Sequence, residues 1–147
     1  MVDIAAKQPT ERVARARGRV ELTPELLTRL LAGDLPKGEA LGVARLAGIQ
    51  AAKETARLVP LCHQVPLSSV AVDFHREGED VIVVLAEARC VGRTGVEMEA
   101  LVAVSVAALT LYDMCKSMHR GIRITGIELV HKSGGRSGTW SREESAP

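Results

Sequence analysis

The sequence predicts an α+β fold in which a ferredoxin-like antiparallel sheet has its helices packed on one face. Strand-like segments show a two-residue period, helix-like segments show three- and four-residue spacing, and the order is strand, two helices, hairpin, long helix, strand. Helices laid on one face of an antiparallel sheet form an α+β sandwich. A length of 147 residues fits one domain, which we place at residues 1–138, with a polar C-terminal tail at 139–147.

The first two elements are a strand and a short helix. Over residues 12–20 small apolar residues alternate with arginines, which is the period of a strand with one buried face. The helix has Thr23 as its N-cap, Pro24 at its first position and Gly33 as its C-terminal stop. The simplest interpretation of the strand's arginines is that they form a solvated face, although they could instead contribute to a site for anions. They are Arg15, Arg17 and Arg19.

A second helix, a loop, a hairpin and a last strand complete the regular elements around a long helix. Small residues recur every three or four positions over residues 39–58, so a neighbouring element must approach this helix closely. Prolines bracket the loop at 59–66, and the hairpin turns at residues 77–80. The last strand covers residues 122–132 and is expected to bend at Gly126.

The long helix is predicted from about Gly95 to Met118. Thr94 and Glu97 have the spacing of a capping box, in which the two side chains satisfy free amides at the helix start. From Leu101 to Leu111 the helix carries no charged face, and an apolar surface on all sides must be buried on all sides. A domain of this size cannot readily do that alone, so we expect a homo-oligomer. The apolar stretch is too short to span a bilayer.

Composition excludes several classes of partner. A net charge of +1 provides no bulk field for DNA or an anionic membrane, and 2% aromatic residues argue against stacking platforms for single-stranded nucleic acid. The three cysteines are odd in number and widely spaced, which suggests neither a disulfide framework nor a zinc site. The N-terminus has no apolar segment typical of a secretory signal. We therefore expect a cytoplasmic protein that binds no nucleic acid and no membrane.

Asp113 and Lys116 form the first candidate site, in the last turns of the long helix. They are i,i+3 neighbours on one face. The simplest interpretation is an ion pair at a helix end. The functional interpretation is that a carboxylate and an ammonium in a protected pocket exchange roles as base and acid. Burial and proximity would then move their pKa values toward neutrality or apart.

Two further lysines lie in segments that suit anions. Lys37 and Gly38 come just before a helix start, either as a solvent-exposed turn or as an anion site beside free helix amides. Lys132 opens the glycine-rich segment 132–138, which is either a flexible tail or a segment that wraps a phosphate with backbone amides. It lacks the residue order of a Walker A loop.

Cys62, His63 and Glu99 are the remaining candidates. Neighbouring side chains in extended backbone point to opposite sides, so Cys62 and His63 are not expected to act as a nucleophile pair. His63 is a ligand contact, a proton carrier or a structural histidine. Glu99 lies about 21 Å along the helix from Asp113, at 1.5 Å per residue. If both helix ends serve ligand sites, each pocket takes its two ends from different subunits.

Taken together, these segments resemble the MoaC family, the cyclic pyranopterin monophosphate synthases of molybdenum cofactor biosynthesis. The family usually has proline directly after the histidine of its Leu-Cys-His motif, whereas this chain has Gln64. The matching stretches span residues 1 to about 138: Met1-Val2-Asp3, Lys37-Gly38, residues 44–53, Pro60-Leu61-Cys62-His63, residues 94–101, Tyr112-Asp113-Met114-Cys115-Lys116 and Lys132-Ser133-Gly134-Gly135.

The resemblance implies a lyase that converts (8S)-3′,8-cyclo-7,8-dihydroguanosine 5′-triphosphate to cyclic pyranopterin monophosphate and pyrophosphate. It also implies a hexamer built as three dimers. No cofactor is required, no metal site is predicted, and Mg²⁺ on the triphosphate is left open. The implied catalytic residues are Asp113, Lys116 and Lys37, and the implied substrate-binding residues are Leu61, Cys62, His63, Met98, Glu99 and Lys132.

Two other functions compete with the enzyme. A non-catalytic GTP-binding regulatory module would use the same small α+β fold, since such sandwiches often serve as regulatory domains. A purely structural oligomer subunit would explain the long apolar helix. Release of pyrophosphate from the cyclised substrate distinguishes the enzyme from the regulatory module. A rise in melting temperature with nucleotide distinguishes both from the structural subunit.

Overall fold

The computed structural model describes residues 1–142, and the end of the predicted tail, residues 143–147, lies outside the described residues. This part of the chain contains five strands and four helices, and they follow the predicted order except that the sequence predicts neither the separate short helix Thr55–Leu58 nor the short strand Trp140–Ser141. Their bounds are β1 Thr10–Glu21, α1 Pro24–Leu31, α2 Ala40–Lys53, α3 Thr55–Leu58, β2 Leu67–Glu77, β3 Val81–Gly92, α4 Glu97–Cys115, β4 Arg123–Ser133 and β5 Trp140–Ser141.

The strands form a single antiparallel sheet in the order β2-β3-β1-β4-β5. The first four have the strand order of a ferredoxin-like fold, with β5 added at the β4 edge, so the predicted fold class is confirmed. The expected bend in β4 is also present. Gly126 has φ +57°, and the register between β1 and β4 shifts between Arg17 and Arg19. Glycine adopts this backbone angle without the steric cost that a side chain would add.

The core lies between the sheet and a layer formed by α2 and α4. Along β1 the residues Ala14, Ala16 and Val20 are fully buried beneath α4, while the arginines between them point to the opposite face. These arginines form cross-strand ion pairs, which confirms the simplest interpretation, a solvated face rather than a site for anions. The pairs are Arg15 with Glu87, Arg17 with Glu128, and Arg19 with Glu77.

Glycines set how closely these layers approach each other. A Cβ on Gly48 of α2 would lie 2.8 Å from the backbone oxygen of Ala103 and 3.2 Å from the Cβ of Ala107, both in α4. A Cβ on Gly18 of β1 would lie 2.7 Å from Val104. Neither position has room for a side chain, so the close approach predicted from the small residues of α2 is confirmed.

The predicted helix over residues 39–58 is wrong in one respect, because it is broken at Glu54. Glu54 has φ −102° and ψ 6°, which ends α2 and precedes the separate turn α3. The buried Thr55 hydroxyl donates hydrogen bonds to the carbonyls of Ala51 and Ala52. A hydroxyl that bonds to the backbone in this way often bends a helix.

The predicted capping box at the start of α4 is also wrong. Val96 is the N-cap residue, and among the described residues no side chain caps this terminus. The Glu97 carboxylate instead accepts a hydrogen bond from Lys132 Nζ at 3.1 Å. An ammonium brought close by β4 competes with a backbone amide for this carboxylate, because a charged donor forms the stronger bond.

The expectation that α4 is buried on all sides fails within a single chain. The inner face, including Ala103, Ala107 and Leu111, is fully buried, whereas Leu109 on the outer face is 59% exposed. By length and composition α4 could cross a membrane, but 50% of the qualifying window is buried inside the protein, as expected of a core helix. The oligomer that would cover the outer face stays a prediction.

Candidate active site

The predicted site residues fall into two groups at opposite ends of α4. Lys37, Asp113 and Lys116 meet at its C-terminal end. The substrate-binding candidates meet at its N-terminal end, and they are Leu61, Cys62, His63, Met98, Glu99 and Lys132. The chain therefore brings together the members of each group but keeps the two groups a helix length apart, as the sequence predicts for Glu99 and Asp113.

At the C-terminal end of α4 one carboxylate is shared by two ammonium groups. Asp113 Oδ1 accepts a hydrogen bond from Lys116 Nζ at 2.6 Å, and Oδ2 accepts one from Lys37 Nζ at 2.6 Å. The helical i,i+3 spacing brings Lys116 to Asp113. Lys37 arrives from the loop between α1 and α2, whose next residue, Gly38, has φ +90°. The sequence predicts the first contact and not the second.

These contacts determine the protonation states of the cluster. Hydrogen bonds from Lys116 and Lys37 lower the pKa of Asp113 to about 2. The same hydrogen bond to Asp113 raises the pKa of Lys116. The pKa values thus move apart through pairing. Lys116 lines an open cavity of about 400 Å³ with Tyr112 and Arg120. Asp113 is not enclosed, because 49% of its side chain is exposed, so within residues 1–142 the pair lacks the protection that the sequence predicts.

At the N-terminal end of α4, a loop and the first helical turn enclose a cavity of about 360 Å³. Leu61, Cys62 and His63 line it from the loop after α3, and Met98 and Glu99 line it from α4. This arrangement agrees with the grouping that the resemblance implies. Burial, with the charge of Glu99 adding to it, raises the pKa of the Cys62 thiol. A thiol held protonated is a poor nucleophile, which agrees with the expectation for Cys62.

Glu99 is the buried acid of this end of the molecule. It is 4% exposed, and within residues 1–142 its side chain forms no ion pair. Burial raises its pKa, and the nearby charge of Glu97 adds to the effect, although its own backbone amide opposes it. The side chain also lines a second cavity of about 250 Å³, shared with Lys53 and Gln64. A carboxyl group in such surroundings can remain protonated and donate a hydrogen bond.

A larger cavity of about 620 Å³ adjoins the first and shares several lining residues with it, Glu97 among them. Among the described residues its lining includes five cationic side chains against the single carboxylate of Glu97. The cations are Lys7, Arg12, Arg93, Lys132 and Arg136. An excess of fixed positive charge in a concave site favours an anion with several charges.

The glycine-rich segment after β4 contributes directly to this larger cavity. Gly135, Arg136 and Ser137 lie in its lining. Gly134 and Gly135 have φ +97° and +74°, and side chains at these positions would collide with Glu11 and Arg12 of β1. Of the two interpretations of this segment, the structure supports contact with an anion site more than a free tail.

Sequence reasoning missed Arg12 and assigned Glu97 to a cap. Arg12 lies two residues before Ala14, and side chains alternate between the two faces of a strand. Arg12 therefore lies on the same helix-facing side of β1 as Ala14, beyond the buried residues. Its Nε donates to the carbonyl of Gly92 at 3.2 Å, and it lines the 620 Å³ cavity. A charged residue on the apolar face of a strand is the signal that could have identified it.

No group of three or more metal-ligating His, Cys, Asp or Glu side chains occurs within residues 1–142.

The chain matches the family model described as MoaC family over residues 1–135. Three relatives named cyclic pyranopterin monophosphate synthase align over nearly the whole chain. The protein of Chloroflexus aggregans is 54% identical over 99% of this chain and 89% of the relative. The protein of Thermomicrobium roseum is 56% identical over 98% of this chain and 87% of the relative. The protein of Geobacter metallireducens is 55% identical over 99% of this chain and 92% of the relative. None of these names supports a regulatory module.

Proposed function

The chain belongs to the MoaC family, and from this membership we propose how its residues carry out cyclic pyranopterin monophosphate synthesis. The protein is a lyase of molybdenum cofactor biosynthesis and acts on a purine nucleotide-derived substrate. That substrate is (8S)-3′,8-cyclo-7,8-dihydroguanosine 5′-triphosphate, which must lose pyrophosphate as the cyclic phosphate closes. The site therefore has to hold a triphosphate, hold a base-derived ring and move protons.

The 620 Å³ cavity is the triphosphate site in this proposal. Its five cationic side chains stabilise the charge that builds on the departing pyrophosphate. The first turn of α4 borders the cavity, and the amides of an uncapped helix start favour anions. Glu97 lines both cavities and forms an ion pair with Lys132. In this proposal the Lys132 ammonium therefore lies where the phosphates of the substrate join its base and sugar.

The 360 Å³ cavity receives the base and sugar. His63 lies in its wall and is the proton carrier of this cavity in the proposal. The raised pKa of Glu99 lets it act as a neutral donor toward a ring nitrogen or hydroxyl. Leu61 and Met98 supply apolar contact for the planar ring, and Cys62 contributes as a protonated thiol.

Asp113, Lys116 and Lys37 are the proton-transfer group. Lys116 is the protonated member of the pair and is the acid in this proposal, although its hydrogen bond to Asp113 raises its pKa and weakens its acidity. Asp113 is an anion whose basicity is suppressed by its two partners. Substrate phosphates compete for Lys37 and Lys116. As those hydrogen bonds are lost, the pKa of Asp113 returns toward its ordinary value and the carboxylate becomes a stronger base.

The assembly in this proposal is a homohexamer built as three dimers, with each active site composed from two subunits. The exposed apolar outer face of α4, including Leu109, supports an oligomer. The separation of Glu99 from Asp113 along α4 supports composite sites. Free thiols at Cys62, Cys90 and Cys115 fit a reducing cytoplasm. The reaction requires no redox cofactor, and Mg²⁺ could accompany the triphosphate.

The observation that carries this proposal is the cationic cavity adjoining the cavity of His63 and Glu99. The test incubates the purified protein with the cyclised substrate and measures pyrophosphate and pterin product. We expect the wild-type protein to release both in equal amounts. Lys116→Arg keeps the charge but removes a titratable acid, so turnover should fall by about 10²–10⁴-fold.

The matched control is Arg29→Lys, an exchange of the same two residue types at an exposed ion pair on α1, which should leave turnover unchanged. Absence of pyrophosphate from wild-type reactions would refute the function. Near-normal turnover of Lys116→Arg would refute the proton-transfer role alone.

A further inference from the structure

A short C-terminal strand pairs with the end of β4 that carries Lys132, one of the cations of the 620 Å³ cavity. The strand β5 covers Trp140–Ser141 and begins after residue 135, where the match to the family model ends. It pairs with β4 at two positions, His131 with Ser141 and Lys132 with Trp140. Lys132 lines the cavity, so β5 is hydrogen-bonded beside one of the cations of the proposed triphosphate site.

Side chains anchor this strand as well as backbone pairing. His131 Nδ1 and Ser141 Oγ share a hydrogen bond of 2.8 Å. The backbone amide of Arg142 donates to the carbonyl of Val130 at 2.9 Å. Arg142 also donates through Nε to the carbonyl of Leu129 at 3.1 Å. Residues 140–142 are therefore attached to β4 at each successive position.

The same arginine links the aromatic residue of β5 to the sheet. The Arg142 guanidinium lies 5.6 Å from the centre of the Trp140 ring and forms an ion pair of 3.1 Å with Glu128. Trp140 is directly opposite Lys132, and residues opposite each other in an antiparallel pair place their side chains on the same face. The register thus places the indole on the same face of the sheet as Lys132.

Between β4 and β5 the chain makes a tight loop that reaches the cavity. Three glycines with positive φ, Gly134, Gly135 and Gly138, shape it, and the amide of Gly138 donates to the carbonyl of Gly135 at 3.2 Å. Arg136 and Ser137 sit at its tip and line the cavity. A glycine-rich loop has many conformations available, and fixing both its ends removes much of that freedom before an anion arrives.

We propose that β5 is a positioning element for the triphosphate site, holding Lys132 and the loop at 134–139 in the arrangement that binds phosphate. The inference rests on the proposed assignment of the 620 Å³ cavity to phosphates. β5 itself does not touch the phosphates. It raises affinity because an ordered loop has less conformational entropy to lose on binding.

The test breaks β5 in the full-length chain and uses inorganic pyrophosphate as the probe. Arg142→Pro removes the backbone amide that donates to the carbonyl of Val130 at 2.9 Å, together with the side-chain contacts of Arg142, and so breaks the pairing of this segment with β4. Ser141→Thr keeps the hydroxyl for His131 and suits a strand, so it is the matched control. Binding of pyrophosphate is measured by titration calorimetry, and KM and kcat are measured with the cyclised substrate.

We expect Arg142→Pro to bind pyrophosphate about tenfold more weakly or worse, with a matching rise in KM and a kcat within about twofold of wild type. Ser141→Thr should behave as wild type. Trp140→Ala, which leaves the backbone pairing intact, should give a smaller change in the same direction. A general loss of structure would lower kcat as well, so the division between KM and kcat separates positioning from stability.

Two results would overturn the inference, and they are distinguishable. If the wild-type chain binds no pyrophosphate, or if Arg12→Ala leaves binding unchanged, the cavity assignment itself fails. If wild-type binding depends on Arg12 but Arg142→Pro binds as tightly as Ser141→Thr, the proposed function stands and the role of β5 does not.

Discussion

A single carboxylate at the end of α4 determines the resting state of the proton-transfer group. Asp113 holds Lys37 and Lys116 at 2.6 Å each, so neither ammonium is free and the carboxylate is not basic. The pKa of about 2 keeps Asp113 ionised throughout the neutral range. Ionisation of this residue in the free chain therefore cannot produce an activity change between pH 5 and 8. A pH effect in that range must arise from other groups or from the substrate-bound state.

Glu99 presents the opposite situation, because burial raises its pKa. The folded state thus favours the neutral form. The stabilising effect of that neutral form is fully present below the unfolded pKa of about 4.3 and is lost as pH rises through the higher folded value. At neutral pH, folding therefore costs free energy at this residue, because the carboxyl group either takes up a proton that the unfolded chain has lost or is buried as a charge.

We predict that Glu99→Gln stabilises the protein at neutral pH. Its melting temperature should exceed that of wild type by about 2–4 °C, which corresponds to roughly 1 kcal/mol for a domain of this size. The difference should shrink toward zero near pH 4. Glu79→Gln, at an exposed position in the β2–β3 turn, is the control. Melting curves from pH 4 to 8 check the prediction, and a difference that does not depend on pH would contradict it.

At the scale of elements, the contact between α2 and α4 determines where both ends of α4 lie. Gly48 permits this contact, since its hypothetical Cβ would be 2.8 Å from a backbone oxygen of α4. A flexible side chain could move away from such a contact, but a helical carbonyl can move only with its helix. The spacing of α2 from α4 thus depends on the absence of one methyl group.

Gly48→Ala should therefore destabilise the protein, even though alanine is the better helix former by about 1 kcal/mol. Overpacking costs about 1–3 kcal/mol, so the net loss is up to about 2 kcal/mol and the melting temperature should fall by up to about 4–8 °C. Gln50→Ala, on the exposed side of the same helix, should leave the melting temperature unchanged or raise it slightly. A melting temperature of Gly48→Ala above that of wild type would contradict the prediction, because it would show that α4 moves away at little cost.

At the scale of the whole molecule, the length of α4 separates the two groups of site residues. At 1.5 Å per residue, Glu99 and Asp113 are about 21 Å apart along the axis. Acid–base catalysis requires hydrogen-bond reach between the catalytic group and the reacting atom. Within one chain the proton-transfer group therefore lies at the opposite end of α4 from the ring cavity. A composite site resolves this, with α4 of each subunit serving two pockets.

Subunit complementation tests the composite site. Glu99→Ala and Asp113→Ala proteins are unfolded together, refolded at equal concentrations and assayed. Random assembly should make about one pocket in four intact, and so restore about a quarter of wild-type activity. Each variant refolded alone is the control and should remain inactive. Verified mixed oligomers without any recovery would contradict sites shared between subunits.

Local sequence accounts for the elements and for contacts between near neighbours. Thr23 caps α1 as predicted, because its hydroxyl reaches Leu26 three residues along. The pair Asp113 and Lys116 follows from helical spacing. The alternation in β1 correctly separates buried alanines from solvated arginines. Each of these features depends on residues within one turn or one strand, where backbone geometry fixes the distances.

The sequence by itself determined the fold class, the order of the main elements and the placement of Glu99 and Asp113 toward opposite ends of α4. Only the tertiary structure decided which distant groups meet: Lys37 with Asp113, Glu97 with Lys132, and Arg12 with the loop after β4. The physical reason is that these contacts join segments far apart in the chain. The packing of α2 on α4 brings Lys37 to Asp113, whereas strand pairing positions Arg12 and Lys132, and a one-residue change of register would place every side chain on the other face. Local periodicity indicates which face a residue prefers, whereas the assembled sheet decides what lies across from it.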